Sequence, residues 1–351
     1  MIDTIEPTVE RLGVVISPDG DPNEVEGVLN PASARDRSGG LLLYPRMVEK
    51  GNISRVGRVE MLPDASGFDP KRDGYALEPQ APYELRANPG YGCEDPRVTF
   101  VPVLDRYVMT YTAYGPDGPR IAVALSEDAH RWERAGLMNF EVPGLTVGDD
   151  KDGAFFPEPV RSPEGVESLA FYHRPMLHLS AVDGRAAIPM IESMPFEDRE
   201  SIRIGYIPLD RVKRDPVQGL LECEESALVL SPDANWGSLK IGCGTPPVRI
   251  AEGWMSIFHG VDVVDHRRRT RPKLRYSAGI VVHDAVEPHR ILYRSPQPIL
   301  EPQTEHERAG IVDNVVFPTG LDPRPDLGER IFDTYYGMAD FRVGAARVAL
   351  H

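Results

Sequence analysis

The chain has 351 residues and a formal net charge of −15, and hydrophobic residues make up 41% of it. Such a composition is typical of a globular protein, either one large all-β domain or several smaller domains. The acidic balance argues against binding to nucleic acid, which depends on clustered Lys and Arg. The local exception is His266–Arg275, with six Lys or Arg in ten positions. We expect a solvated loop there, with the rim of an anion pocket as the alternative.

Several classes of site and compartment are excluded. No apolar run approaches the roughly 18 residues of a membrane span, and the first residues, MIDTIEPTVERLG, lack the pattern of a secretory leader. The cysteines Cys93, Cys223 and Cys243 are too few and too far apart for a disulfide framework or a CxxC metal site. We therefore expect a cytoplasmic protein that binds neither a membrane nor a metal.

Short runs rich in β-branched and aromatic residues, bounded by Gly, Pro or Asp, recur along the whole chain. Runs of this kind predict strands, and no long window carries an unbroken helical apolar stripe. The fold is therefore expected to be mostly β. The runs are Gly40–Tyr44, Arg97–Val103, Tyr107–Tyr114, Arg120–Leu125, Ser168–Tyr172, Ile202–Ile207, Trp254–His259, Tyr276–Val282, Ile331–Tyr336 and Ala345–Leu350.

A weak internal repeat consists of a strand-like run, a turn and a second run. It occurs at Tyr107–Trp132, Trp254–Pro288 and Tyr335–Leu350. Small antiparallel meanders suit the blades of a β-propeller, where radial repetition protects the strand edges. The pattern favours one propeller domain over residues 1–351, with about the first 30 residues left open as an extension. A β-sandwich or two β domains is the alternative.

The first candidate for chemistry is Asn88–Arg97, NPGYGCEDPR. Pro96 is expected to hold Asp95 in an extended conformation just before a strand, which would aim its carboxyl group. With Glu94 and Arg97 nearby, one acid could be buried while the other is paired, and their protonation would then differ. The alternative is an Asp-Pro turn with a surface ion pair.

Two further clusters place charged residues beside apolar or Gly-rich segments. Asp149–Glu158, DDKDGAFFPE, supplies Lys151, Asp152 and Glu158, and Tyr172–Pro175, YHRP, follows it. Leu239–Pro247, LKIGCGTPP, places Lys240 before a Gly-rich turn, and His259 ends a later strand-like run. Taken singly, each is explained equally well by a solvated turn or a core histidine.

Taken together and in order, these segments resemble glycoside hydrolase family 130, the β-mannoside phosphorylases and mannosidases. The segments NPASA (30–34) and LLLYPRM (41–47) match less well than the rest. The resemblance runs through GCEDPR (92–97), YVMTYTAYG (107–115), KDGAFFPE (151–158), YHRP (172–175), KIGCGTPP (240–247), GWMSIFHGV (253–261), YSAGIVVHD (276–284), PILEP (298–302), NVVFPTG (314–320) and YYGMAD (335–340).

The resemblance implies an all-β, five-bladed β-propeller with an active site on its central axis, and an inverting phosphorylase that converts a β-linked mannoside to mannose 1-phosphate. Asp95 falls at the position of the general acid. A small oligosaccharide is the implied partner and inorganic phosphate the co-substrate, without metal or cofactor, and a homo-oligomer is left open. The implied phosphate-binding residues are Lys151, Arg174, Lys240 and His259, and the implied sugar-contacting residues are Ser54, Tyr91, Arg97 and Asp340.

One departure from the family pattern leaves the reaction open. The phosphorylases that match best carry Arg-Asn where this chain has Lys151-Asp152, so a bidentate fork is lost and a negative charge is added. An inverting β-mannosidase is the first alternative, because Asp152 or Glu158 could activate water on the face opposite the acid. A carbohydrate-binding propeller without catalysis is the second.

Overall fold

The computed structural model describes residues 5–64, 67–145, 147–177, 187–265 and 272–351. Within these ranges the chain is built of strands, and the α-helices are Ala187–Ser193 (α1), Leu209–Arg214 (α2) and Glu305–Arg308 (α3). The all-β prediction is confirmed. None of the helices in the described ranges is both long and apolar enough to cross a lipid bilayer. Residues 266–271 of the basic segment lie outside the described part.

The N-terminal half forms two antiparallel meanders joined in one sheet. After β1 (Pro7–Ile16), the first meander comprises β2 (Gly27–Arg35), β3 (Leu41–Glu49), β4 (Ile53–Asp64) and β5 (Gly67–Leu77). The second comprises β6 (Tyr91–Val101), β7 (Arg106–Gly115), β8 (Gly118–Ser126) and β9 (Glu133–Leu137). They are joined because β4 and β6 pair in parallel over Ile53–Tyr91 and Ser54–Gly92.

Three larger sheets and one two-stranded sheet complete the described part of the chain. One contains β11 (Asp150–Phe155), β13 (Glu167–Pro175), β14 (Ile202–Pro208) and β16 (Glu225–Leu230), with β12 (Val160–Arg161) beside β13, while β10 (Asn139–Phe140) pairs with β15 (Glu222–Cys223). The next contains β17 (Lys240–Cys243), β19 (Gly253–Asp265), β20 (Lys273–His283) and β21 (Ile291–Arg294), with β18 (Val248–Ile250) beside β19. The last contains β22 (Val316–Pro323), β23 (Ile331–Met338) and β24 (Arg342–Leu350).

The first strand belongs to the last sheet. β1 pairs antiparallel with β24, from Pro7 opposite Leu350 to Ile16 opposite Val343. It supplies the fourth strand of a sheet whose other three come from the C-terminus. Residues 7–16 are therefore part of the sheet framework, which corrects the view of them as an extension, and β1 joins the two ends of the described chain.

The hydrophobic core lies between neighbouring meanders and follows their order. Tyr44 of the first packs with Tyr111 of the second. The second meander packs against the sheet that contains β11 and β16. That sheet packs against the sheet of β17–β21, which in turn packs against the sheet of β22–β24. Tyr335 of the last sheet packs with Leu43 of the first meander. Each sheet thus buries apolar side chains against the next, and the last against the first.

A buried glutamate network occurs twice at equivalent places. Glu84 accepts hydrogen bonds from two backbone N–H groups, from the Tyr111 hydroxyl and from Arg134 Nε. Tyr111 lies on β7 and Arg134 on β9, the second and fourth strands of the second meander. Glu307 likewise accepts from two backbone N–H groups, from Tyr336 on β23 and from Arg11 on β1. The recurrence identifies β1 as the fourth strand of its meander, since Arg11 takes the place of Arg134.

We predict that Glu307→Gln lowers the free energy of unfolding by about 2 kcal/mol, because a fully buried carboxylate that accepts four hydrogen bonds loses its charge. The exposed Glu305, two residues away in α3, is the matched control as Glu305→Gln. Chemical denaturation of both variants measures the difference. Equal free energies of unfolding for the two variants would contradict the proposed contribution of this network to stability.

Candidate active site

Three strands that begin a meander or sheet carry a bulge with an Asn or Asp in the left-handed region. Asn30 of β2, Asp95 of β6 and Asp152 of β11 have φ angles of 44°, 47° and 60°. The strand register shifts at each of them. Asn and Asp tolerate this region best among residues with a Cβ. The expectation of an extended Asp95 was therefore wrong, because the bulge sets its φ positive despite Pro96.

The acid side of the site is organised around Asp95, whose exposed fraction is 8%. Its Oδ1 accepts a hydrogen bond from Asn30 Nδ2 at 2.9 Å and lies 3.4 Å from Arg46 Nη1. Arg46 also donates to Glu94 at 2.9 Å and to the Ser54 hydroxyl at 2.9 Å. Ser54 is fully buried, so it supports the Arg46 guanidinium.

Asp95 and Asp340 form an electrostatically linked pair of carboxyl groups. Burial raises the pKa of Asp95, but Arg46, Arg97 and Lys151 together outweigh it, and the pKa lies below its usual value. Burial, and next the charge of Asp95, raise the pKa of Asp340 to about 6. Near neutral pH, Asp340 is therefore the member of the pair that more readily holds a proton.

The cationic side of the site is organised around Asp152. Its carboxylate accepts a hydrogen bond from Arg174 Nε at 2.7 Å and from Arg97 Nη2 at 3.3 Å, and it lies 3.8 Å from His259 Nε2. Burial raises the pKa of Asp152, but the two guanidinium groups outweigh it and place the pKa far below the usual range. Asp152 is therefore ionised at any working pH and is a poor proton acceptor.

Arg97 connects the two sides. It donates to the backbone carbonyls of Asp95, Cys243 and Gly244, each at 3.0 Å, in addition to Asp152. Its exposed fraction is 1%. These donors are occupied inside the protein, so the contacts favour a role of Arg97 in bracing the loops, and its assignment as a substrate contact stays a prediction.

Two of the predicted cations differ in charge. Tyr276 raises the pKa of Lys240, whose Nζ lies 5.8 Å from the Tyr276 ring centre, and Lys240 is charged. Burial lowers the pKa of His259 to about 3. Its ring packs 4.4 Å from the Phe317 ring, and its buried Nδ1 has no hydrogen-bond partner among the described residues. His259 is therefore neutral in the free protein, and its assignment as a phosphate-binding residue would rest on an N–H donor and not on a charge.

A glycine permits the close approach of this group. A Cβ at Gly242 would lie 2.2 Å from Asp152 Oδ2 and 2.7 Å from His259 Nε2. Any side chain at that position would force the carboxylate and the imidazole apart. The predicted turn after Lys240 is instead strand β17 (Lys240–Cys243), and the glycine at position 242 within it is explained by packing against Asp152.

The remaining predicted residues occupy different places. Lys151 Nζ lies 3.5 Å from Glu94 Oε2, so it belongs to the acid side. Asp340 is linked to Asp95 as described, and Tyr91 is partly exposed at the start of β6. Glu158 is exposed in the turn after β11, beyond the buried Phe155, and is not brought to Asp152. It is therefore unsuitable as the base of a hydrolase.

Sequence reasoning missed four residues of the site. Asn30 and Arg46 lie in the segments that match the family least, yet both contact Asp95. Tyr276 faces Lys240, and Glu200 contacts the Nη1 group of Arg174. The bulge-forming Asn-Pro at Asn30, which has the same form as Asp-Pro at Asp95, was the available signal for the first of them. In the described part of the chain, no group of three or more His, Cys, Asp or Glu is arranged to hold a metal ion.

We predict that the stability of the wild-type protein relative to Asp340→Asn falls by about 2–3 kcal/mol between pH 4 and pH 7.5. A carboxyl group whose folded pKa is raised stabilises the fold below its unfolded pKa, and that contribution is lost as the pH rises through about 6. Denaturation curves at both pH values measure it, with Asp117→Asn at an exposed turn as control. A constant difference across pH would contradict the prediction.

Comparison with known proteins identifies the family of this arrangement. The family model described as Glyco_hydro_130, beta-1,4-mannooligosaccharide phosphorylase, matches residues 5–188 and 214–351. A 1,2-beta-oligomannan phosphorylase of Thermoanaerobacter sp. strain X514 is 29% identical over 259 residues, which are 73% of this chain and 67% of that protein. The matched region spans about two thirds of the length of the first two curated relatives.

Solved structures show the same fold. The β-1,2-mannobiose phosphorylase from Listeria innocua, in complex with β-1,2-mannobiose, superposes with a TM-score of 0.70 at 20% identity and covers 97% of this chain and 96% of that one. A second solved structure superposes with a TM-score of 0.70 at 21% identity, and the match covers 99% of this chain and 95% of that one. Its description states that the GH130 family of mannoside phosphorylases contains glycoside hydrolases that target β-1,2 mannosidic linkages in Candida mannan. With the family model matched along nearly the whole chain, the protein belongs to glycoside hydrolase family 130.

Proposed function

We propose that the protein is an inverting glycoside phosphorylase that cleaves a short β-linked mannoside with inorganic phosphate and releases mannose 1-phosphate. The observation that carries this proposal is the arrangement around Arg97, which binds the Asp95 backbone on one side and the Asp152 carboxylate on the other. A buried carboxyl pair thereby lies next to a set of cations. The names of the relatives, all mannoside phosphorylases, support the same class.

We further propose that the sheets form five blades around a central axis. The order of the meanders, the packing of each on the next and the pairing of β1 with β24 support this arrangement. The bulges of β2, β6 and β11 would then face the axis, since Asn30 donates to Asp95, and Asp152 accepts from Arg97 of the same strand as Asp95. The active site lies at this meeting point.

The reaction divides between the two sides of the site. We assign to Asp95 the donation of a proton to the leaving sugar, either directly to the glycosidic oxygen or through a sugar hydroxyl. Because the surrounding cations lower the pKa of Asp95, it must first take up that proton, and Asp340, with a pKa of about 6, is the neighbouring carboxyl group that binds a proton more readily. A phosphate oxygen attacks the anomeric carbon from the opposite face, so the bond to the leaving sugar breaks as the new carbon–oxygen bond forms, with inversion. Arg174 and Lys240 orient the phosphate and offset its charge.

Hydrolysis is the second candidate function, and the observation that favours it is the Glu200 carboxylate beside Arg174. A carboxylate at that place could activate water. Asp152 is less suited as a base, since two guanidinium groups keep its pKa low.

We also propose that the protein acts in the cytoplasm on a small oligosaccharide. The assay below identifies the linkage that it cleaves.

We predict that the protein with phosphate converts β-1,2- or β-1,4-mannobiose to mannose 1-phosphate and mannose in equal amounts. Ion-exchange chromatography with and without phosphate measures both products. Release of mannose at the same rate without phosphate would establish hydrolysis instead. Turnover of neither substrate under either condition would favour a carbohydrate-binding role.

We predict that Asp95→Asn lowers the rate on the preferred mannobiose by at least ~10², because general acid catalysis contributes at least that much. Asp117→Asn, at an exposed turn, is the matched control. The pH profile of Asp340→Asn, measured alongside, shows which member of the pair supplies the proton. If Asp95→Asn keeps more than a tenth of the rate and Asp340→Asn does not, the acid is Asp340.

A further inference from the structure

A carboxylate lies among the cations proposed to hold phosphate. Glu200 stands just before β14, and the exposed fraction of its side chain is 11%. Its Oε2 contacts Arg174 Nη1, and its Oε1 accepts a long hydrogen bond from the Leu177 N–H at 3.4 Å. Burial raises the pKa of Glu200, but Arg174 and then Lys240 outweigh it, so the group is ionised.

Arg174 is thereby shared between two carboxylates. Its Nε donates to Asp152 and its Nη1 contacts Glu200. The Asp152 carboxylate cannot leave without abandoning a second buried guanidinium, that of Arg97. Among the residues that the structure describes, Glu200 contacts no such second arginine, so we take its carboxylate as the partner of Arg174 that an incoming anion replaces.

The backbone of Glu200 is held by hydrogen bonds, so its carboxylate can be displaced only through its side chain. The Glu200 carbonyl accepts a hydrogen bond from Ile241 N at 3.1 Å. The preceding Arg199 donates to the carbonyls of Glu192, Met194 and Ser238 and anchors the segment. Displacement of the carboxylate therefore requires rotation about side-chain bonds only, without rearrangement of a loop.

We propose that Glu200 is an internal counter-anion, which occupies the phosphate side of Arg174 in the free enzyme and which phosphate must displace. This inference rests on the proposed phosphorylase function and names the residue that sets its phosphate requirement. A carboxylate and a phosphate oxygen accept the same guanidinium hydrogen bonds and repel each other, so the two compete for Arg174. Phosphate affinity is consequently lower than the cations alone would give.

Binding of inorganic phosphate to the full chain, measured by calorimetry, tests the proposal without relying on turnover. Glu200→Gln keeps the shape and removes the charge, and we expect it to bind phosphate about tenfold more tightly, a gain that a merely structural residue would not produce. The exposed Glu197 in the same segment supplies the control, Glu197→Gln, with unchanged affinity. Equal or weaker binding by Glu200→Gln overturns the proposal.

A second variant shows whether any change in phosphate binding comes from misfolding. A kinetic measurement distinguishes the proposed role of Glu200 from that of a catalytic base in hydrolysis. Glu200→Asp keeps the charge but withdraws it by one methylene, and we expect an affinity between wild type and Glu200→Gln, with thermal unfolding recorded for each. In turnover, Glu200→Gln should lower the KM for phosphate. Loss of phosphate-independent mannose release with unchanged phosphate binding would instead make Glu200 the base of a hydrolase. If wild type forms no mannose 1-phosphate, the proposed function fails, and the binding experiment still decides the role of Glu200.

Discussion

The site depends on one buried carboxylate, Asp152, that holds two guanidinium groups. Arg97 and Arg174 reach it from different strands, and both are almost entirely removed from water. Burying three charges is costly unless each is paired and hydrogen-bonded. Removing one partner would leave the remaining charges buried and unpaired. Asp152 therefore fixes the positions of both arginines, and through Arg97 it also fixes the backbone of Asp95. The acid side and the cationic side are a single electrostatic unit.

The same backbone device builds this unit three times. An Asn or Asp in the left-handed region interrupts β2, β6 and β11, and the bulge side chains of β2 and β11 both bond to residues of β6. Residues in sparsely populated backbone regions persist only where their surroundings hold them there. Here the hydrogen bond from Asn30 to Asp95 and the bonds from Arg97 supply that restraint. Strain and function thus coincide at the same positions.

Much of this could be predicted from the sequence, and the rest could not for physical reasons. The spacing of Gly, Pro and Asp residues and the runs of β-branched residues between them predicted the strands. The residue types around Asp95 and Asp152 predicted a charged site. The pairing of β1 with β24 was not accessible, because an edge strand carries no signal for a partner at the far end of the chain. Nor was the neutrality of His259, which follows from burial between strands, or the role of Glu200, which stands in a bend without a motif.

The replacement of Arg-Asn by Lys151-Asp152 takes on a different meaning once the contacts are known. Asp152 adds a negative charge, but Arg97 and Arg174 neutralise it inside the protein, so it presents no free carboxylate to an anion. Lys151 pairs with Glu94, while Lys240 and the Nη edge of Arg174 are the cations proposed to meet phosphate. Glu200 is the carboxylate that meets that edge. We therefore propose that the choice between phosphate and water at this site depends on Glu200, a residue outside the motif in which the departure occurs.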